Sequence, residues 1–70
     1  MNNIAKLVHK GKPYTATFDA EGVVDTVVNS KGKALSSRHA IAASIIRHQE
    51  AILGRMLPTA MTKSGWEWAP

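Results

Sequence analysis

The chain has 70 residues, a formal charge of +4, 44% hydrophobic and 20% charged residues, and no cysteine. That balance is globular rather than disordered, allows one domain at most, and excludes a disulfide framework or thiolate metal site. Its apolar runs fall far short of the roughly 20 residues a bilayer span needs, and no secretory leader opens it, so a cytoplasmic single domain over residues 1–70 with no membrane contact is expected.

Extended segments come first. Residues 4–10 (IAKLVHK) form the first predicted strand, closed by the turn cluster Gly11-Lys12-Pro13, in which glycine permits positive φ and proline sets its own. Residues 13–19 alternate: Tyr14, Ala16 and Phe18 share one face, and Thr15, Thr17 and Asp19 the other. The sequence Asp19-Ala20-Glu21-Gly22 predicts a second turn. Residues 23–29 are β-branched, with Val24, Thr26 and Val28 expected along one side. Ser30-Lys31-Gly32 turns the chain again into a short strand at 33–35.

The period then changes. Over 37–57 apolar residues recur at helical spacing, with Ile41, Ala42, Ile45, Ile46, Gln49, Ile52, Leu53, Met56 and Leu57 on one broad arc. Ser36 or Ser37 is placed to cap the helix, and Pro58 to stop it. Residues 58–70 form a connector and an extended tail carrying Trp66 and Trp68. The expected architecture is α+β: a three- to four-stranded antiparallel meander packed against one long C-terminal helix, with a short Trp-containing tail. A chain this small is expected as a monomer, or as a weak homodimer through any part of the apolar arc the sheet leaves open.

Chemistry is sparse. Ser36 and Ser37 beside His39 lack an orienting carboxylate at helical spacing and read as capping residues. His9, His39 and His48 have no ligand spacing, and no glycine-rich loop leads from strand to helix. No catalytic residue, metal or cofactor is expected. The cations carry more information. Lys10 and Lys12 flank the first turn, Lys31 and Lys33 the third, Arg38 opens the helix and Lys63 precedes the tail. Alternate turns of a meander emerge at one end of the sheet, so these groups and the helix amino end are expected to converge on one rim that suits a phosphate backbone. A second candidate surface is the polar helix face, where Arg47, Ala51 and Arg55 stand at i, i+4 and i+8.

The run GKPYTATFDAEGVV, the Gly-containing turn leading to GKALSS, the helix rich in Ala and Ile, and the ending SGWEW together resemble the RAMA domain, a module that accompanies bacterial restriction endonucleases and adenine methyltransferases. The positions that carry the resemblance are Gly11, Lys12 and Tyr14; Gly22; Ser36 and Ser37 before Ala40; and Gly65, Trp66 and Trp68. Leu35-Ser36-Ser37 stands where that family has a Ser-Pro-Ser turn, and Ser64 where it has Asn. The resemblance implies a non-catalytic module that binds double-stranded DNA, tied to restriction–modification, phage or mobile-element biology. On this reading Lys10, Lys12, Lys31, Lys33, Arg38 and Lys63 contact phosphates, Ser36 and Ser37 position the backbone, and Ser64, Trp66 and Trp68 approach a groove or base. The rival is a small phage-type inhibitor or adaptor of a host protein, which uses Arg47, Ala51, Arg55 and the Trp tail.

Overall fold

A computed structural model describes residues 3–70. Four strands form one antiparallel sheet in the order β3-β2-β1-β4: β1 (Asn3–His9), β2 (Lys12–Phe18), β3 (Val24–Val28) and β4 (Trp66–Trp68). Three short helices, α1 (Ala40–Arg47), α2 (Gln49–Leu53) and α3 (Thr59–Lys63), lie between β3 and β4 in the chain. None of them is long and apolar enough to cross a membrane.

The turns follow from their residues. β1 and β2 pair with His9 opposite Lys12, so only Lys10 and Gly11 connect them. Both have positive φ, 50° and 83°, the backbone of a two-residue type I′ turn whose twist matches the flanking strands. The turn therefore starts one residue before the expected Gly-Lys-Pro cluster and shares only Gly11 with it, and Lys12 and Pro13 already belong to β2. The second and third turns are twins. In one, the Asp19 Oδ1 accepts from the N–H groups of Glu21 (2.8 Å) and Val23 (3.1 Å). In the other, the Asn29 Oδ1 accepts from Lys31 (2.9 Å) and Lys33 (3.0 Å). Gly22 and Gly32 take the same left-handed conformation, at φ 82° and 79°.

Strand alternation places Ala5 and Leu7 of β1, Ala16 and Phe18 of β2, and Val27 of β3 in the core. The expected Val24, Thr26, Val28 face does not form. Thr17 pairs with Thr26 but Phe18 pairs with Val24, so Asp25 is an extra residue in a bulge. The bulge turns Val24 and Val27 toward the helices and leaves Thr26 outside, where its hydroxyl meets that of Thr17 at 2.7 Å. Residues 33–35 contribute a single bridge, Ala34 with Val28, and not a full strand. The fourth strand is instead the Trp tail, which pairs with β1 on the side away from β2.

The single long helix over 37–57 is replaced by two short ones. At His48 the backbone turns to φ −115°, ψ 23°, and the ring Nδ1–H donates to the Ser44 carbonyl at 3.0 Å. That carbonyl is the acceptor the His48 amide would use in a continuous helix; the amide goes to Ile45 instead. Past the break, the Gln49 Oε1 accepts from the Val24 N–H at 2.9 Å, tying α2 to the start of β3. The cap of α1 is His39, whose Nδ1 accepts from the Ile41 N–H; Ser36 caps only the turn before it, through Arg38 N–H. Pro58 does not stop the helix either. Arg55 N–H bonds to the Ile52 carbonyl and Met56 N–H to that of Ala51, a Schellman closure with Arg55 in the left-handed position, and Pro58 caps α3. Met56 consequently leaves the apolar arc and is 69% exposed.

Ala42, Ile45 and Ile52 from that arc are buried in the core with Met61 and Trp66, while Met56 of the same arc stays outside it. Six large side chains are fully enclosed: Trp66, Phe18, Leu7, Ile45, Ile52 and Met61. Each contributes about 1.5–3 kcal/mol of apolar transfer free energy.

Candidate nucleic-acid interface

The register sets which residues share an end of the sheet. The first turn, the third turn and the start of β4 all emerge at the end of β1. Lys10 and Lys12 stand at the centre of this rim. Asn29 N–H donates to the Lys33 carbonyl at 2.9 Å, which holds Lys31 and Lys33 as a second pair beyond the free side of β3. On the other flank, Lys10 N–H donates to the Gly65 carbonyl at 3.0 Å and His9 Nε2–H to the Ser64 carbonyl at 3.0 Å. These bonds bring the end of α3, with Lys63 and Ser64, against the first turn. At about 4.8 Å between strands, the row from Lys33 to Ser64 is roughly 19 Å wide.

All five of these lysines are exposed, as is Ser64. Acidic residues are sorted the other way. Asp19 and Glu21 occupy the twin turn at the opposite end of the sheet, and Asp25 follows it at the start of β3. Glu50 sits on α2 next to Gln49, which is bonded to Val24 at that same end. Glu67, on the outer face of β4 opposite Val8, is the acid nearest the lysines. Two turns of the same backbone geometry thus carry opposite charge about 20 Å apart, at 3.3 Å per residue along the strands. Arg55 is a cation at that opposite end, beside Asn3 and Phe18.

Other expected members fall elsewhere. Leu35 N–H bonds to the Val27 carbonyl, so Ser36, Ser37 and Arg38 leave the sheet about three residues, or roughly 10 Å, back from Lys33. They flank the rim without forming its edge. Trp66 is 2% exposed. Its ring packs between His9, 4.7 Å between centroids, and Tyr14, 6.0 Å, so it is closed to a base and anchors β4 from below. Trp68 lies opposite Leu7, away from the rim, with the Arg55 guanidinium 5.5 Å above its ring.

The Arg47, Ala51, Arg55 stripe is not formed. The break at His48 puts Arg47 and Ala51 on different helices, and Arg55 lies beyond the end of α2. Arg47 lines a cleft between α1 and α3 with Ala40, Ala43, Ser44 and Ala60, whereas Arg55 turns to Trp68. Reading the sequence missed His9, which fastens α3 to the first turn. Among the described residues, no group of three His, Asp or Glu side chains is placed to hold a metal ion.

No family model matches the chain, and no curated protein or solved structure matches it.

Proposed function

We propose that the protein is a non-catalytic, RAMA-like DNA-binding module that grips the phosphate backbone of double-stranded DNA with its lysine-bearing turns. The observation that carries this reading is the collection of Lys10, Lys12, Lys31, Lys33 and Lys63 on one end of the sheet while four of the five acids lie toward the other. Phosphate contacts of this kind position a protein on the duplex and carry no sequence information by themselves. Ser64 and the flanking Ser36, Ser37 and Arg38 extend the contact on either side. Trp66 belongs to the support and not to the contact. Hydrogen bonds fix the backbone of the rim in place: Lys10 is bonded to Gly65, and the Asn29 side chain closes the third turn on two amides. A preformed surface loses little ordering entropy on binding.

The rival reading, a host-protein inhibitor or adaptor using Arg47, Ala51, Arg55 and the Trp tail, keeps Arg55 beside Trp68, while the break at His48 separates Arg47 from Ala51 and Arg55. The test is an NMR titration of the labelled protein with adenine-methylated and unmethylated duplexes at low salt. The expected result is a set of shifts at residues 10–12, 29–33 and 63–65. A spectrum that does not respond to either duplex overturns the proposal, and a response to only one assigns methylation preference.

A further inference from the structure

Among the described residues, two besides glycine have positive φ, and both are cations: Lys10 and Arg55. Lys10 belongs to the lysine rim. Arg55 does not; the Schellman closure of α2 sets its conformation, but not the choice of arginine to fill it. The position it fills, the residue after the C-cap in a Schellman closure, is the one where glycine is favoured because a Cβ is strained there. The chain has a glycine one residue earlier, at Gly54, where φ is an ordinary −81°. Reversing the order of these two residues would relieve the strain, so arginine at 55 is conformationally costly, and backbone strain of this sort accumulates where a side chain has a task.

The Arg55 side chain stands over the Trp68 ring at 5.5 Å, on the wall of an open cleft of about 600 Å³ lined by Ile4, Lys6, Arg55, Trp68, Ala69 and Pro70. The volume lies within the range of small-ligand sites. Two cations, Lys6 and Arg55, border it, and no acidic side chain lines it. One face of Trp68 is covered by the guanidinium, which leaves the N–H edges of Arg55 as the polar donors and Ile4, 49% exposed, as apolar floor. Guanidinium N–H pairs match the oxygens of a phosphate bidentately. Lys6 and Arg55 attract the charge of nearly −2 that a phosphate monoester carries at neutral pH, against the opposing α-carboxylate of Pro70 in the 70-residue chain.

We infer that this cleft, at the β4 edge and about 13 Å along β1 from the lysine rim, binds a phosphate monoester carried on a planar or apolar body, with Arg55 and Lys6 holding the phosphate. The site is separate from the DNA contact proposed above and stands if that proposal fails. Its test is an NMR titration of the full chain with phenyl phosphate, with phenol as the neutral control. A parallel pair of short single strands, one with a 5′-phosphate and one with a 5′-hydroxyl, tells a free monoester from a strand terminus. Phenyl phosphate is expected to shift Lys6, Arg55 and the Trp68 indole with a dissociation constant of a few millimolar, and phenol to leave them unmoved. Lys6→Gln and Arg55→Gly should each weaken binding about tenfold. Arg55→Gly should also melt within about 8 °C of the parent, because glycine suits the backbone there. The inference is overturned if phenyl phosphate and the 5′-phosphorylated strand both leave the cleft unshifted, or if Lys6→Gln and Arg55→Gly bind as the parent does. A fall in melting temperature beyond that limit for Arg55→Gly also overturns it, since the arginine would then be retained for packing on Trp68.

Discussion

Replacing Lys31 and Lys33 by glutamine removes two of the five rim lysines without disturbing the turn that carries them. The third turn is closed by backbone amides on the Asn29 side chain and by Gly32 at φ 79°, and the twin turn holds Glu21 at the place equivalent to Lys31. Both side chains are exposed, so stability should change by no more than about 0.5 kcal/mol. Binding should change far more. Each phosphate neutralised contributes about 0.9 to the slope of log K against log salt, so five lysines give a slope near −4.5 and three a slope near −2.7. If the counterion term vanishes near 1 M salt, losing two contacts weakens binding roughly 60-fold at 0.1 M. Fluorescence anisotropy with a labelled duplex between 50 and 400 mM salt measures both quantities, and Glu21→Gln at the opposite end supplies the control. A parent slope shallower than about −2, or a Lys31→Gln/Lys33→Gln slope equal to the parent's, would refute the argument that these lysines grip phosphates.

The twin turns allow a second comparison. Gly22→Ala and Gly32→Ala meet the same left-handed backbone, but a Cβ at 22 comes within 2.8 Å of Leu53 Cδ2 while one at 32 meets nothing within 4 Å. Gly32→Ala should cost about 1 kcal/mol and Gly22→Ala about 0.5–1 kcal/mol more, the share needed to move a leucine rotamer; thermal melting should show the order, and equal losses would contradict it. Gln49→Leu strips the Val24 N–H of its acceptor and should destabilise by about 1–3 kcal/mol, with the Val24 amide the first to lose protection in hydrogen exchange. Trp66→Ala should cost about 3–5 kcal/mol, comparable with the whole stability of a domain this size, and leave circular dichroism of a largely unfolded chain at 37 °C.

Much of the sheet was legible because its causes are local. Alternation in residues 13–19 placed Tyr14, Ala16 and Phe18 inward, and the structure buries Ala16 and Phe18. Turn residues at 19–22 and 30–32 announced the second and third turns, although the side chain that closes the third, Asn29, had read as the end of a strand. The meeting of the first and third turns at one end follows from antiparallel connectivity alone. Other features came from groups far apart in the chain. A helical period cannot reveal that His48 takes the Ser44 carbonyl, or that Gln49 is drawn to Val24, 25 residues away. The bulge at Asp25 shifts β3 by one residue and so exchanges its two faces from Thr26 onward. Trp66 and Trp68 share a face in any extended tail, but only pairing with β1 decides that Trp66 lies under His9 while Trp68 lies under Arg55. Short-range hydrogen bonds and side-chain alternation are written into neighbouring residues; which backbone groups pair across the molecule is settled by packing, and that packing divided the long helix and separated the arginines it was expected to align.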